Sequence, residues 1–409
     1  MQPLRKVISK LKLRASYGQV GNANLGGRRF AYLSTITDDY ETLNMYKWGL
    51  DSSYGLTGMA EGEFAVQDLT WEIVNKMNLG VELGFLNGMI DLQLDYFDER
   101  RKDIFMPRES VPMTAGFMKQ PWKNFGKVTN QGVEVSLNVN KQFGKDLFVS
   151  LMGTFTYAHN EITEKDEPSA VVGTNRAETG HPVGQLTGYI AEGLFTADDF
   201  EDVSTGKLKE GIPTQSFVGK LRPGDIRYRD VNGDGKVDVF DKSPIGGDPE
   251  IVYGFGLNMK YKNLDFGALF QGIGRSWNIL GSSIIPGANR GVTGNMFTNA
   301  NDRWTVDNPS QNVFYPRLDD GINSNNNQSS TWWLRNMSFL RLKNIELGYS
   351  LPKNLWRNTT VISGIRLFVR GTNLLTFSKF DLWDPEVENT TGAAYPIMKS
   401  LSAGFEIKF

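Results

Sequence analysis

The chain ends in the stretch Leu401-Ser402-Ala403-Gly404-Phe405-Glu406-Ile407-Lys408-Phe409. Every second residue from Leu401 to Phe409 is apolar, and the residues between them are small, polar or charged. Because successive side chains of a β-strand point to opposite faces, this period of two predicts a strand with one apolar and one polar face. The apolar face needs a cover, which is either a second layer of protein or lipid.

The same alternation recurs along the whole chain and predicts ten strands. Their cores are residues 11–17, 77–85, 90–96, 133–139, 147–157, 251–261, 264–270, 338–351, 365–369 and 401–409. The apolar phase slips at Lys343, which predicts a β-bulge there. Between the second and third strands, Asn87-Gly88 is typical of a type I′ hairpin turn.

The predicted connections alternate in length. Short turns lie near residues 87–88, 143–146, 262–263 and 352–363, and long connections span roughly 21–72, 101–130, 159–250, 276–331 and 375–396. Outer-membrane barrels have this layout, with short periplasmic turns and long extracellular loops. The sequence therefore predicts an all-β fold, an antiparallel transmembrane β-barrel portion of about ten strands.

The polar faces of these strands carry charges, among them Asp91, Asp95, Arg366 and Arg370. In a soluble core each would cost several kcal/mol unless it were paired, whereas a water-filled lumen solvates them. On the apolar face a charge at mid-bilayer would cost roughly 2–4 kcal/mol, and that face is nearly free of charge. A water-filled lumen on the polar side and lipid on the apolar side together explain both faces. A half-exposed soluble sheet explains the alternation alone and stays as the alternative.

Composition excludes several classes of protein. The 409 residues carry a net charge of −2, which gives no basis for nucleic-acid binding. With two histidines a His-rich metal site is excluded, and the absence of cysteine fits an exported protein. The sequence contains no run of about 18 apolar residues, so it predicts no transmembrane helix. The first ten residues lack the apolar core of a signal peptide, which an exported barrel needs, so either the chain is a C-terminal fragment of a longer protein or the barrel interpretation is wrong.

Several segments resemble SusC/RagA-type TonB-linked outer-membrane proteins. They are residues 11–22, 188–195, 223–235 (beginning Pro223-Gly224-Asp225-Ile226), 339–349 and 366–375, the last followed by Asp384-Pro385-Glu386. The resemblance implies a TonB-dependent receptor with about 22 strands around a plugged lumen. Residues 1–409 would be its last ten strands, a single incomplete domain in which the plug and the signal peptide are absent.

The resemblance also implies a function, the energised import of oligosaccharides, or else of peptides. It implies a SusD-like surface lipoprotein as partner, and contact with TonB through a region missing from this chain. The expected location is the outer membrane of a Gram-negative bacterium, in contact with its lipid. An outer-membrane or surface β-protein without active transport, such as an adhesin or a structural barrel, is the alternative.

A twelve-residue stretch within the predicted extracellular loop 159–250 matches a calcium-binding loop. Its candidate ligands are Asp230, Asn232, Asp234, Lys236 (through its carbonyl), Asp238 and Asp241, the last in place of the usual Glu. Gly235 permits the sharp bend, and no helical pattern flanks the loop, so it would not be an EF-hand pair. The alternative is a cluster of Asn-Gly and Asp-Gly turns with solvated acids. Apart from this calcium ion, no cofactor is expected.

Aromatic residues in or beside the long connection 276–331 are candidates for substrate binding, because exposed rings can stack on sugars. Trp304 and Tyr315 are the candidates. For Trp332 and Trp333 a place in the aromatic girdle at the membrane interface is favoured. The polar tract 323–330 is predicted to be a mobile external loop.

Two pairs of adjacent acids, Asp198-Asp199 and Asp319-Asp320, could suggest glycosidase carboxylates. Adjacent acids on an extended chain point apart, however, and external loops are commonly acidic. The sequence therefore predicts no catalytic residues and no enzyme.

Overall fold

The structure is a computed structural model. It describes residues 7–37, 46–48, 54–56, 59–117, 119–217, 219–281, 284, 297–319, 323–356, 361–387 and 390–409. Ten long strands form one antiparallel sheet in which each strand pairs with its neighbours in sequence. They are β1 (Ile8–Asn22), β2 (Glu72–Phe85), β3 (Ile90–Pro107), β4 (Trp122–Phe143), β5 (Leu147–Glu164), β6 (Ile251–Tyr261), β7 (Leu264–Gly274), β8 (Phe339–Ser350), β9 (Gly364–Ser378) and β10 (Ser400–Lys408). The ten predicted strands and the antiparallel all-β fold are confirmed.

The connections sort by length onto the two ends of the sheet, as the sequence predicts. The strand bounds leave turns at residues 86–89, 144–146, 262–263 and 351–363 on one end, and connections at 23–71, 108–121, 165–250, 275–338 and 379–399 on the other. Since the strands are antiparallel and sequential, all long connections leave from the same end. We call it the loop end, and the opposite one the turn end.

The first hairpin connection contains two overlapping turns. The N–H of Gly88 donates to the carbonyl of Phe85 at 3.1 Å, which makes Leu86 and Asn87 the two central residues. Both have positive φ, +51° and +58°, as a type I′ turn requires. In the second turn the N–H of Met89 donates to the carbonyl of Leu86 at 3.3 Å, and the central residues are Asn87 and Gly88, at φ +58° and +83°. The predicted turn at Asn87-Gly88 is therefore confirmed.

The predicted bulge at Lys343 is confirmed. Leu342 pairs with Phe270 and Asn344 pairs with Leu269, so Lys343 has no partner in the register with β7. The same irregularity appears in the pairing of β8 with β9. The extra residue explains why the apolar phase slips at this point.

The apolar face of the sheet has no protein layer over it in the described part of the chain. Leu137, Leu367 and Phe405 are 38%, 46% and 69% exposed, and Ile90 is half-buried. The two buried hydrophobic clusters found among the described residues contain no residue of the ten strands. An apolar face of this extent requires lipid, which agrees with the predicted environment.

The buried core lies in the loops. We call the described parts of residues 165–250, 275–338 and 379–399 the loop assembly. Its main cluster joins distant aromatic residues, among them Tyr189, Tyr228, Trp304, Tyr315 and Trp333. The connections between the long strands therefore have the aromatic core that the sheet lacks.

Short elements support these connections. Paired short strands are Ile36–Thr37 with Ala60–Glu61, Tyr46–Trp48 with Tyr54–Leu56, Leu186–Gly188 with Ser243–Gly246, Ala191–Leu194 with Ile226–Tyr228, Phe200–Asp202 with Lys207–Leu208, Thr214–Gln215 with Lys236–Val237, and Trp277–Ile279 with Leu334–Asn336. Short 3₁₀ helices are Met113–Ala115, Ala197–Asp199, Val239–Asp241 and Lys353–Trp356. In the ranges that the structure describes, no helix is long and apolar enough to cross a membrane.

Candidate functional site

The exposed face of the sheet is a continuous apolar surface. One row crosses six neighbouring strands by direct pairing. Its members are Leu13, Val81, Leu94, Val135, Phe155 and Tyr253. None of them is charged, and a row of this kind is suited to hydrocarbon.

Aromatic side chains border this surface at both ends. Tyr17, Tyr96, Tyr157 and Tyr253 lie toward the loop end, and Phe143, Tyr261 and Tyr349 lie toward the turn end. On β5 the border at the loop end lies at Tyr157. The border at the turn end lies at Leu147, which pairs with Phe143 and with Tyr261. Ten residues of tilted strand span roughly 25 Å across a bilayer, the height of the apolar band of an outer-membrane barrel. The borders therefore form the aromatic girdles.

The opposite, inner face carries ion pairs that cross the strands. Arg14 of β1 reaches over β2 to Asp95 of β3, with Nη2 at 2.8 Å from the carboxylate. Gly80 lies between them, and a Cβ at that position would overlap the Asp95 carboxylate. Arg14 also contacts Glu82 at 3.0 Å. The glycine thus permits a salt bridge between strands that are not neighbours.

The same arrangement recurs at the other side of the sheet. Arg366 of β9 reaches over Gly348 of β8 to Asp265 of β7, with Nε at 3.0 Å from Oδ1. Glu346 accepts from the Nη2 of Arg366 at 2.5 Å and from the Nε of Arg370 at 2.6 Å. Two charged networks therefore line the inner face, which confirms the predicted separation of a polar and an apolar side.

A fully buried carboxylate joins two connections of the loop assembly. Asp225 accepts hydrogen bonds from Arg317, from the side-chain amides of Asn323 and Asn326, each near 3.0 Å, and from the N–H of Arg222 at 2.9 Å. Burial raises the pKa of Asp225, and Arg317 opposes this shift. We call these five residues the Asp225 junction. It holds the segment 222–228 against residues 317–319 and 323–326.

The polar tract 323–330 supplies two residues of this junction, Asn323 and Asn326, and is itself largely buried, so the prediction of a mobile external loop is wrong. Asn325 and Ser330 are fully buried. Asn325 accepts from the Gln215 side chain at 2.5 Å, and its own amide donates to the carbonyl of Ile226 at 2.8 Å. Asparagine amides here satisfy backbone groups that have no strand partner, which explains why a polar sequence is buried.

The two candidate sugar-binding rings lie in the loop core. Trp304 is 8% exposed and Tyr315 is 1% exposed. Gly224, at φ +88°, lies against the Trp304 indole, and a Cβ there would overlap the ring. The Tyr315 hydroxyl donates to the carbonyl of Ile284 at 3.2 Å. The expected exposure of these rings is wrong, and their role in substrate binding stays an untested prediction.

Trp333 is also in this core and not in the girdle that the sequence favours for it. It is 2% exposed, and its Nε1 donates to the carbonyl of Asn326 at 2.8 Å. The Nε1 of Trp332 donates to the carbonyl of Phe314 at 3.1 Å. Tyrosines of the long strands form the girdle instead.

The calcium-like loop is closed by hydrogen bonds to its own backbone. The carboxylate of Asp230 accepts from the N–H groups of Gly233 and Gly235 at 2.7 and 2.8 Å. Asp241 is fully buried and accepts from the N–H groups of Val231 and Asp238, both at 2.8 Å. Within the described residues, no group of three or more His, Cys, Asp or Glu is placed to hold a metal ion. Calcium binding here stays a prediction.

The remaining candidate ligands of that loop make similar contacts. The side chain of Asn232 accepts from the N–H of Asp234 at 2.9 Å, and Asp234 accepts from the N–H of Lys236 at 2.9 Å. Asp238 accepts from the N–H of Phe240 at 2.9 Å and caps a 3₁₀ helix. These are the contacts of Asx turns, the alternative reading of the motif.

One acid of each adjacent pair has a structural partner. Asp199 caps the 3₁₀ helix Ala197–Asp199 by accepting from the N–H of Thr196 at 2.6 Å. Asp319 accepts from Arg317 at 2.7 Å, and Asp320 lies outside the described residues. Sequence reasoning did not single out Asp225, the centre of the junction, although it lies in one of the segments that carry the resemblance.

Comparison with known proteins gives one consistent result. A family model described as TonB dependent receptor-like, beta-barrel matches residues 4–374. The TonB-dependent receptor SusC of Bacteroides thetaiotaomicron is 28% identical over 98% of this chain and 38% of its own length. The TonB-dependent receptor P26 of Formosa agariphila is 27% identical over 99% of this chain and 40% of its own.

Solved structures agree with the sequences. The RagAB peptide importer in its open-open state has a chain that is 26% identical to this one, with a TM-score of 0.72. The likeness covers 99% of this chain and 40% of that chain. The chain therefore spans about two fifths of the length of the relatives it matches.

Proposed function

Because this chain belongs to the family of TonB-dependent receptor-like β-barrels of the Gram-negative outer membrane, we propose that it forms wall and outer loops of an active importer. In this proposal the ten strands are the C-terminal part of the barrel. In the same proposal the remaining strands, a plug and a TonB-contacting segment lie outside this chain, which covers 38% of the length of SusC. The chain's role is then to enclose a moving plug and to present loops to the cargo.

One observation carries the proposal: the two faces of the sheet suit two different solvents. An uncharged face bordered by aromatic girdles is suited to lipid, and the ion pairs of Arg14 and Arg366 line the side that faces a lumen. An adhesin has no need of charged networks on an inner wall. A water-lined wall beside a plug is what import requires.

The loop assembly supports a partner at the extracellular side. Its own hydrophobic core and the Asp225 junction give it a defined shape at the loop end of the sheet. A SusD-like lipoprotein could dock on a surface of this kind, whereas loose loops would first have to be ordered. The proposed cargo is an oligosaccharide or a peptide, and the similar RagAB structure is described as a peptide importer.

The experiment that tests the function is uptake by the full-length protein in cells, with a panel of neutral glycans and peptides. We expect uptake of one cargo class that stops when TonB is removed. Cells that adhere to a surface through this protein, but take up no cargo with TonB present, would support the adhesin alternative and contradict the importer.

A further inference from the structure

A cavity of about 650 Å³ opens on the inner face, where β2 to β5 approach the loop end. Direct pairing places Val74, Arg101, Val128 and Ile162 in one row across these four strands. Val74 and Ile162 are 6% and 9% exposed and contribute an aliphatic floor. The volume is within the range of small-ligand sites, which are mostly apolar with a few placed polar groups.

The charges around this floor are paired. Glu99 contacts Lys76 at 2.7 Å, and Arg101 contacts Glu72 at 2.6 Å. Lys127 pairs with Glu164, and Lys165 contacts Glu178 at 2.8 Å. Each cation that lines the cavity therefore has a carboxylate partner. An acidic glycan would find no uncompensated positive charge here.

The described lining also lacks an aromatic stacking surface for neutral sugars. Of the described side chains that line the cavity, none is aromatic, so a pyranose ring has no surface for stacking. The aromatic rings of the loops, such as Trp304, are buried in their own core. Aliphatic groups such as Val74 and Ile162 pack well against aliphatic side chains of a ligand.

Among the described residues, the side chain of Asn130 in this cavity has no hydrogen-bond partner. Asn130 lies in the row next to the floor, between Glu99 and Asn160. The Oδ1 of Asn160 accepts from the N–H of Val183 at 2.7 Å, but the Asn130 amide makes no hydrogen bond within the described chain. A free amide offers one acceptor and two donors, which match the N–H and C=O of a peptide group.

We propose that this cavity is a cargo subsite for peptides, which takes an aliphatic side chain on its floor while Asn130 binds the adjacent peptide group. The proposal rests on the importer function above and narrows its cargo from two classes to one. The paired charges disfavour polyanionic ligands, and the absence of aromatic rings from the described lining disfavours sugars. The Asn130 amide favours a ligand that carries peptide groups.

The test uses the full-length protein in detergent, incubated with a casein digest and, separately, with a mixture of neutral maltooligosaccharides. Bound ligands are identified by mass spectrometry. Ala158→Trp places an indole in the cavity, because Ala158 lines it, and Asn130→Leu removes the amide at similar size. Ala15→Trp on the apolar face is the matched control, since that residue shares its face with Leu13 and Tyr17.

We expect the wild type and Ala15→Trp to retain peptides enriched in Val, Ile, Leu or Met. Ala158→Trp should retain roughly tenfold less peptide, and Asn130→Leu about fivefold less, the loss expected for one hydrogen bond. The electrophoretic shift of the folded barrel on heating shows that each variant is folded.

Four outcomes overturn the subsite. Peptide retention that is equal in the folded Asn130→Leu variant and the control overturns it, as does retention without aliphatic enrichment. Retention of maltooligosaccharides alone overturns it while the importer function survives. Retention of neither class, with no TonB-dependent uptake in cells, removes the importer function as well.

Discussion

The strands and the connecting loops of this protein differ in where they put their apolar residues. Leu13 of β1 is 74% exposed and Phe405 of β10 is 69% exposed, whereas Trp333 in the loop assembly is 2% exposed. In a water-soluble domain the strands bury apolar residues and the loops are polar and mobile. The reversal shows that the two regions fold in different solvents, the strands in hydrocarbon and the loops in water.

Polar groups show the same reversal. On the strands, Arg14 and Arg366 lie on a face that water wets and bind carboxylates across a glycine. In the loops, Asp225 and Asn325 are fully buried; Asp225 binds the Arg317 guanidinium, and both bind backbone or amide groups. A strand satisfies its backbone through its neighbours, but an irregular loop with a core must do so with side chains.

The largest effect is expected in the loop core, from Trp333→Ala. The indole packs 6.3 Å from the Tyr315 ring and bonds to the carbonyl of Asn326. Removing a buried tryptophan costs about 3–5 kcal/mol. We expect the loop assembly to become sensitive to limited proteolysis while the barrel keeps its electrophoretic shift on heating.

The control for that variant is Val306→Ala, which lies in the same connection and is 82% exposed. It should leave the proteolysis pattern unchanged. If Trp333→Ala abolished the electrophoretic shift as well, the loops and the strands would fold as one unit and the comparison would fail.

A charge on the apolar face is expected to have the next largest effect. Leu137 lies near the middle of the lipid-facing band of β4, and Leu137→Arg should cost roughly 2–4 kcal/mol. The neighbouring Ser136 faces the inner side and pairs with Gln93 and Thr154. Ser136→Arg should therefore be tolerated. The measurement is the folded fraction of the full-length protein in outer membranes, and equal losses for both variants would contradict the two-solvent reading.

The calcium-like loop gives a smaller effect and tests whether the loop assembly needs a metal. Asp241→Ala leaves the N–H groups of Val231 and Asp238 without their acceptor, a loss of about 1–3 kcal/mol. Asp234→Ala, at an exposed position, should cost less. We expect titration of the full-length protein with calcium to release heat, and both variants to weaken it. No heat at millimolar calcium would leave the loop closed by hydrogen bonds alone.

The sheet could be predicted from the sequence because its signals are local. Period-two alternation fixes each strand, and a single phase slip placed the bulge at Lys343. The loop core could not be predicted in this way, since its contacts join distant residues, such as Gln215 and Asn325, 110 positions apart. The prediction that Trp304 and Asn325 are exposed is wrong because it follows the general rule that residues in connections lie at the surface, whereas the partners that bury them are distant in sequence.

The smallest effect is the change of loop stability with pH, which has opposite signs at two loop carboxylates, Asp225 and Asp166. Burial raises the pKa of Asp225, so its folded-state value lies above the unfolded value of about 3.9. The stability it contributes is full below about pH 3.9 and is lost as the pH rises through the folded pKa. Burial also tends to raise the pKa of Asp166, but hydrogen bonds from Arg108 and Ser110 outweigh burial and hold that pKa below its usual value. Its contribution is present above about pH 3.9 and is lost as the pH falls through the folded pKa.

Acidification should therefore favour the Asp225 junction while it weakens the contact of Asp166 with Arg108 and Ser110. Hydrogen-exchange protection factors, corrected for intrinsic rates, should rise in residues 317–319 and 323–326 between pH 7 and 4.5 in the wild type. Asp225→Asn should flatten this rise, and Asp166→Asn should leave it in place. A fall in protection at the junction on acidification would mean that Arg317 outweighs burial, and that this buried carboxylate stabilises the loops as an ion pair.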